Sequence, residues 1–222
     1  MQNKVDYLAS KGIPAIWFCI GALLEQNPDA AIYAIRKGFH LGNHSNDHPA
    51  FSDLTVGECF SQIQRTDEII DALYNDAGVC GPAMKCFRFP YGDRGDRGDG
   101  GRKQREAIQD HLRQLGYTRP KWERASYRYF HENAATTDAD WSWTYDVLEW
   151  SPFADAPLFG IDSLEKVLDR MDEDEPEHGR GLNSGDSEEI MLMHDHQKTA
   201  AFFGLLIERL LDKGLTFSAP SP

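Results

Sequence analysis

Short apolar runs alternate with helical patterns along this chain, and this alternation constrains the fold more than any other feature of the sequence. Residues 15–20 read Ala-Ile-Trp-Phe-Cys-Ile, with Gly12 and Pro14 before them and Gly21 directly after them. An apolar run of this length between chain-breaking residues is typical of a strand that is buried on both faces. Alternation of such strands with helices predicts an α/β fold built from strand and helix units around a parallel sheet.

Local signals predict where the helices begin and end. Asn27 can cap a helix that starts at Pro28 and runs to residue 37, and Gly38 supplies a left-handed residue that stops it. Thr55 and Glu58 have the spacing of a capping box at the start of the next helix. Further helices are predicted near residues 108–115 and 198–213, and Ser163 can cap a helix that runs through Met171. Further strands are predicted at residues 39–42, 87–89, 145–149, 190–193 and 215–217.

Length and composition predict one domain that spans residues 1–222, with flexible loops at residues 92–102, which are rich in glycine, and 172–189, which are rich in acidic residues. The 36 acidic and 23 basic residues give a net charge of −13, which disfavours binding to nucleic acid or to anionic lipid. No apolar stretch is long enough for a membrane span, and no export signal is present, so the compartment is undetermined and cytoplasmic by default. Cys80 and Cys86 can pair across a loop, but free thiols are the favoured interpretation.

Several reactive side chains follow directly after a predicted strand, where the ligands of parallel α/β folds bind. They are His44, His48, Arg88, Tyr91 and His194. Two histidines four positions apart can converge on one divalent metal ion through their neutral ring nitrogens. Spacing alone is weak evidence, because two solvated or core histidines would give the same pattern.

Four motifs in order carry a resemblance to a known family. Residues 42–49 read Gly-Asn-His-Ser-Asn-Asp-His-Pro and are followed by Leu54 and Thr55, residues 87–92 read Phe-Arg-Phe-Pro-Tyr-Gly, Asp140 precedes Trp141, and residues 190–195 read Ile-Met-Leu-Met-His-Asp. In this order they closely resemble the histidine, Arg-x-Pro-Tyr, Asp-Trp and Leu-x-His motifs of the polysaccharide deacetylases. This NodB-homology family is also classed as carbohydrate esterase family 4.

The resemblance implies a role for each matching residue in hydrolysis of an acetyl group from N-acetylated or O-acetylated carbohydrate. His44 and His48 would bind a divalent metal, most simply zinc, the backbone N–H of Tyr91 would stabilise the oxyanion, and His194 would protonate the leaving nitrogen. The resemblance also implies supporting residues, which comprise Arg88 as the partner of a catalytic aspartate, Asp140 as a group that sets the charge of the acid, and Trp141, Leu192 and Pro90 as substrate-binding residues.

One departure from the family pattern separates two functional hypotheses. The family opens with a strand that ends in Thr-Phe-Asp-Asp-Gly, which supplies the general base and the third metal ligand, whereas this chain has no Asp-Asp-Gly and starts in the helix around residues 4–8. Asp6 lies on that helix and receives neither role. The implied fold is therefore a distorted (β/α) barrel that lacks its first strand, with weakened or lost metal binding.

The first hypothesis is a metal-dependent carbohydrate deacetylase, with the true start of the protein upstream of Met1 and with acetylated glycan as its partner. The alternative is a degenerate member that binds glycan or metal without turnover, because the base and the third ligand are absent. Under either hypothesis Arg88 lacks its family partner and needs another carboxylate or solvent, since a buried unpaired guanidinium is costly. A carboxylate such as that of Asp47, or one from another subunit, would have to complete the metal site.

Overall fold

The computed structural model describes residues 1–121, 137–176, 181–183, 185 and 188–219. Contacts divide these residues into two compact units. The first unit comprises residues 1–120, 137–142 and 219, and the second unit comprises the other described residues. The prediction of a single domain over residues 1–222 and of two flexible loops stays a prediction.

The first unit begins with a short parallel sheet flanked by helices. Strand β1 (Ile16–Cys19) pairs in parallel with β2 (His40–Asn43), so that Cys19 lies opposite Asn43. Helix α1 (Gln2–Lys11) precedes β1, and helices α2 (Gly21–Gln26) and α3 (Pro28–Arg36) connect the two strands. A parallel pair joined by helices is the strand and helix unit that the alternating sequence pattern predicts.

Of the two longer helices of the first unit, the first starts at its predicted signal, whereas the second starts seven residues before the predicted range of 108–115. Helix α4 (Val56–Ala77) starts at a complete capping box, in which the Thr55 side chain accepts from the Glu58 amide and the Glu58 carboxylate accepts from the Thr55 amide. Helix α5 (Gly101–Gln114) is followed by Gly116 in a left-handed conformation. Their apolar faces share a buried cluster that comprises Phe51, Cys59, Ile63, Phe87, Phe89, Ile108, Leu112, Tyr117 and Ala139.

The segment around Phe87 extends the sheet by single bridges rather than as a full strand. Phe87 forms parallel bridges to Asn43 on one side and to Asp140 on the other. The Asn43 amide donates to the Cys86 carbonyl over 2.8 Å, and the Arg88 amide donates to the Asn43 carbonyl over 3.0 Å. The predicted strand at residues 87–89 is therefore extended and paired at one position, and it brings Arg88 next to the end of β2.

The second unit contains a second small parallel sheet. Strand β3 (Tyr145–Asp146) pairs with β4 (Met191–Leu192). Helix α6 (Leu164–Met171) lies between the two strands in the sequence, and helix α7 (Phe203–Asp212) follows β4. Its buried apolar residues are Tyr145, Val147, Leu148, Ile161, Val167, Met171, Leu192, Phe203, Leu206, Ile207 and Leu210. The described strands of both units make two-stranded sheets of an α/β fold, and no closed barrel is assigned among the described residues.

Two local predictions differ from the structure. The last helix begins at Phe203 rather than at residue 198, because residues 197–199 form a separate 3-10 turn. The strand predicted at residues 215–217 is not formed in this described stretch, since three residues carry no information about a strand partner.

The segment predicted as the 92–102 loop is attached to the first unit at Asp93. The Asp93 carboxylate accepts from the Ser52 hydroxyl over 2.6 Å and from the Gly95 amide over 3.0 Å.

Two chain-wide features agree with the sequence. All four cysteines, namely Cys19, Cys59, Cys80 and Cys86, are free thiols. Among the described residues, no helix combines the length and the apolar character that a membrane crossing requires.

The N-terminus of α6 offers a measurable test of the local signals. The Ser163 hydroxyl accepts a hydrogen bond from the Lys166 amide, as a cap should. We expect Ser163→Ala to lower the free energy of unfolding of the second unit by about 1 kcal/mol, whereas Ser163→Asp retains the acceptor and most of the stability. Urea unfolding followed by circular dichroism measures both values, and equal stability of the two variants would contradict the capping role.

Candidate active site

His44 lies immediately after β2, where the backbone and the ring are both held. Its amide donates to the Cys19 carbonyl over 3.0 Å, which continues the pairing of β1 with β2 by one residue. Its ring Nδ1 lies 2.7 Å from the Arg88 carbonyl oxygen. A carbonyl can only accept, so Nδ1 carries the proton and the lone pair of the neutral ring is on Nε2. This arrangement presents Nε2 of His44 as a potential metal ligand.

His48 brings a second ring nitrogen to the same point. Its Nε2 lies 3.1 Å from Nε2 of His44, and the two ring centroids are 4.8 Å apart in an edge-to-face arrangement. Two imidazoles that share a tetrahedral zinc ion at about 2.0–2.1 Å each have their nitrogens about 3.3 Å apart. The observed separation therefore fits a shared divalent metal with little movement, and the structure brings together the two residues predicted as ligands.

Gln62 of helix α4 makes hydrogen bonds to the loop between the two histidines. The Gln62 side-chain oxygen accepts from the amides of both Asn46 and Asp47, each over 2.9 Å. The Asp47 carboxylate accepts in turn from the side chains of Gln62 over 2.9 Å and Asn46 over 2.8 Å. Both oxygens of Asp47 are thus engaged within the loop, which argues against Asp47 as the third ligand of the histidine pair.

The described residues contain one group of three side chains with the geometry of a metal site. Among the described residues, the one group of three histidine, cysteine or acidic side chains with ligand atoms within 4.8 Å of one another is Asp146, Glu149 and His194 in the second unit. Two protein ligands hold zinc more weakly than the three or four of ordinary sites. The histidine pair of the first unit is therefore a candidate part of a metal site, and the strength of its metal binding stays a prediction.

Arg88 is buried beside the histidine pair with its side chain supported by neighbours of the first unit. Its Nε donates to the Trp141 carbonyl over 2.8 Å, and its guanidinium carbon lies 4.1 Å from the centroid of the Phe18 ring. The residue is 7% exposed, so these contacts replace much of its hydration. Arg88 also orients His44 directly, because it is the Arg88 carbonyl that accepts from the His44 ring.

Tyr91 lies over the histidine pair on a strained turn. Pro90, Tyr91 and Gly92 form a 3-10 turn in which Tyr91 has φ of 57°, a conformation that is uncommon for a residue with a side chain. The Tyr91 ring is 69% exposed and contacts the His48 ring edge-to-face at 4.6 Å between centroids. His48 also has a positive φ, of 59°. Strain of this kind concentrates at functional sites, and here it occurs at two of the predicted site residues.

Asp140 and Trp141 make internal contacts in the first unit. The Asp140 carboxylate accepts from Gln109 over 2.8 Å and from Arg94 over 3.2 Å. The Trp141 indole donates to the Thr118 carbonyl over 2.7 Å and is buried. These contacts secure the Phe87 segment against its neighbour, and the roles that the resemblance implies for Asp140 and Trp141 stay predictions.

The second unit places a buried carboxylate against His194. Glu149 is 1% exposed, and its Oε1 accepts from the His194 amide over 2.5 Å and lies 3.3 Å from the ring Nδ1. The Trp150 ring contacts the His194 ring at 5.9 Å between centroids. Glu149 therefore holds the backbone of His194 and lies beside its ring, and the His194 side chain remains 41% exposed.

Asp146 adds a second carboxylate to this cluster. Burial raises the pKa of the Asp146 carboxyl, and its Oδ1 accepts from the Leu148 amide over 2.9 Å. Leu192, a predicted substrate-binding residue, is buried on β4 two residues before His194. Sequence reasoning missed both Asp146 and Glu149, although Glu149 ends the predicted strand at residues 145–149 and Asp146 ends the observed strand β3.

Comparison with known proteins identifies the relatives of this chain. A family model described as polysaccharide deacetylase matches residues 1–120. The chain is 32% identical over 82 residues to a peptidoglycan-N-acetylmuramic acid deacetylase of Bacillus subtilis, and this match covers 37% of the chain and 16% of that protein. The match thus spans about a sixth of the length of that relative.

Solved structures show the same fold at low identity. A family 4 carbohydrate esterase from Streptomyces lividans, in complex with acetate, is 22% identical with a TM-score of 0.60 over 100% of this chain and 86% of that chain. A family 4 pseudoenzyme from Bacillus anthracis is 18% identical with a TM-score of 0.61 over 96% of this chain and 56% of that chain. The likeness to both establishes the α/β fold of these proteins and extends over nearly the whole chain.

Proposed function

The chain belongs to the polysaccharide deacetylase family, as its motifs predict, and on this premise we propose that it serves metal-dependent removal of acetyl groups from N-acetylated or O-acetylated carbohydrate. The family is one of metal-dependent hydrolases that also includes pseudoenzymes. The observation that carries the proposal is the pair of Nε2 atoms of His44 and His48, which lie 3.1 Å apart.

The histidine pair would hold the metal, most simply zinc. A bound divalent metal supplies Lewis-acid polarisation of the acetyl carbonyl and acidification of water. The Arg88 carbonyl keeps the proton of His44 on Nδ1, so Nε2 stays available as a neutral donor. The turn at Tyr91 presents its backbone N–H as a donor to the oxyanion, a role that the family resemblance implies and that its fixed, strained φ supports.

His194 would donate the proton that the leaving group needs. Its ring is partly exposed, and Nδ1 is buried 3.3 Å from a Glu149 oxygen, so Nε2 is the nitrogen that can face a substrate. A carboxylate in this position orients the imidazole and stabilises the positive charge of its protonated form. Glu149 and Asp146 add supporting carboxylates to the role that the resemblance implies for Asp140, which stays a prediction, and Leu192, Trp141 and Pro90 remain proposed contacts of the substrate.

The finer architecture is also a proposal, namely a distorted (β/α) barrel without its first strand. Parallel pairing of β1 with β2 and of β3 with β4, with helices between them, supports it. A crystal structure of the chain that contains an open sheet, with no tendency to curve into a barrel, would contradict this part of the proposal.

A second candidate function is glycan or metal binding without turnover. The observation that favours it is that the sequence contains no Asp-Asp-Gly, the motif that supplies the base and the third ligand in the family pattern. Loss of a general base alone costs about 10²- to 10⁴-fold in rate. Structural likeness to a pseudoenzyme of the same family is consistent with this candidate.

One experiment separates the two candidates. We expect the zinc-loaded chain to release acetate from acetylated chitin oligomers, at a rate that drops on chelation and by about 10²- to 10⁴-fold in His194→Ala. An assay of free acetate by a coupled enzyme measures the rate, and His196→Ala in the same unit is the matched control. Zinc binding without acetate release would establish the second candidate, and absence of both would overturn the proposal.

A further inference from the structure

A chain of buried hydrogen bonds leads from the core of the first unit to the loop that carries His48. Asn43, at the end of β2, is 1% exposed, and its side-chain nitrogen donates to the Tyr117 hydroxyl over 2.7 Å and to the Ile63 carbonyl over 2.8 Å. Because the Tyr117 hydroxyl and the Ile63 carbonyl both accept here, the side-chain amide of Asn43 has one orientation, with its nitrogen toward these two groups and its oxygen on the opposite side. That oxygen accepts from the Ser45 amide over 2.9 Å.

Ser45, which is held by the Asn43 side chain, is in turn hydrogen-bonded to the backbone of His48. Ser45 is fully buried with φ of 63°, and its hydroxyl oxygen accepts from the His48 amide over 3.1 Å. Ser45 and His48 both occupy the left-handed region, which costs about 1–3 kcal/mol for each residue that has a side chain. Two hydrogen bonds offset this cost. The Ser45 amide donates to the Asn43 side-chain oxygen, and the His48 amide donates to the Ser45 hydroxyl oxygen.

The series of hydrogen bonds that passes through Asn43 and Tyr117 ends in an ion pair between Asp67 and Lys85. The Tyr117 hydroxyl donates to the Asp67 carboxylate over 2.9 Å, and Lys85 lies 2.7 Å from the other oxygen of Asp67. Burial and the charge of Asp67 raise the pKa of the Tyr117 hydroxyl, so the group keeps the proton that it donates. The Tyr117 hydroxyl therefore has one donor direction and one acceptor direction, and it can accept from Asn43 only in the orientation seen.

We propose that Tyr117 and Asn43 are positioning residues that fix, through Ser45, the backbone at His48 and thereby the affinity of the histidine pair for metal. The inference rests on the proposed function of this pair as a metal site. It adds two residues that touch neither metal nor substrate. Supporting residues of this kind typically contribute 10- to 100-fold in metal affinity.

The chain offers a closely matched control for the key residue. Tyr74 on α4 is buried like Tyr117, and its hydroxyl also accepts from β2, in this case from the Leu41 amide over 3.2 Å. Tyr117→Phe and Tyr74→Phe therefore each delete one buried hydroxyl that binds the same strand. Only the hydroxyl of Tyr117 is connected to Ser45 and His48.

The test is a zinc titration of the full chain against a chromophoric chelator. We expect Tyr117→Phe to lower zinc affinity by about 10-fold and Tyr74→Phe to leave it within about twofold, while both variants lose Tm. Ser45→Gly should lower zinc affinity without loss of Tm, because glycine adopts the positive φ freely but lacks the hydroxyl. Equal zinc affinity of wild type and Tyr117→Phe, or equal losses in the two tyrosine variants, would overturn the inference.

A metal-free measurement separates failure of this inference from failure of the proposed function. In apo protein labelled with ¹⁵N at histidine, we expect the ring signals of His48 to shift in Tyr117→Phe and to stay in place in Tyr74→Phe. A wild-type chain that binds no zinc would contradict the metal site, yet the ring signals would still show whether Tyr117 positions His48. Unchanged His48 signals in Tyr117→Phe would overturn the positioning role on their own.

Discussion

Replacement of His44 by alanine is expected to lower the zinc affinity of the chain by at least about 100-fold, because the two ring nitrogens at 3.1 Å are the proposed ligands and one ligand alone does not hold the ion. His48→Ala should have the same effect. Inductively coupled plasma analysis after gel filtration gives the stoichiometry, and chelator competition gives the affinity. Circular dichroism confirms that the variants stay folded, since both rings are only partly buried.

Two controls make this result specific. His111 is in the same unit and stacks on Phe60 at 3.9 Å between ring centroids, so His111→Ala removes an imidazole without touching the pair and should keep the zinc. Glu149→Gln removes a carboxylate from the other group that has metal-binding geometry. Retention of zinc by His44→Ala with its loss in Glu149→Gln would place the metal in the second unit and contradict the assignment to His44 and His48.

Helix positions could be predicted from the sequence because their signals are local. The capping box at Thr55, the cap at Ser163 and the left-handed glycine at Gly38 each act within one turn of chain, and the structure has all three. The strand at residues 215–217 and the full strand at residues 87–89 depend instead on partners far away in the sequence. Strand pairing is not encoded in the strand itself, so these two predictions were wrong in whole or in part.

The same distinction explains which contacts of the candidate site were foreseen. The two histidines lie four residues apart at the end of a strand, so their pairing follows from local geometry, and the structure brings them together. The carboxylate at Glu149 meets His194 from 45 positions away, and its importance comes from burial, which no local pattern reveals. Tyr117 escaped notice for the same reason, because its hydroxyl reaches Asn43 across 74 positions.

Replacement of Phe87 by alanine is expected to lower the free energy of unfolding of the first unit by about 3–5 kcal/mol, the cost of deleting a fully buried aromatic side chain. The Phe87 ring packs edge-to-face on Phe51 and Phe89, with centroids 5.8 Å and 4.8 Å away. Leu23 on α2 is 52% exposed, so Leu23→Ala in the same unit should cost no more than about 0.5 kcal/mol. Urea unfolding measures both changes.

Stability and the metal site are connected through the residue that follows Phe87. The packed ring holds the segment whose Arg88 carbonyl fixes the His44 ring, so a cavity at position 87 should also loosen the ligand pair. Because domains are stable by only about 5–15 kcal/mol, Phe87→Ala can leave too little folded protein for a titration, and Phe87→Leu, which keeps most of the apolar volume, serves instead. We expect Phe87→Leu to lose about 1 kcal/mol of stability and a few-fold in zinc affinity. Full stability of Phe87→Ala would show that this segment is not part of the core that positions His44.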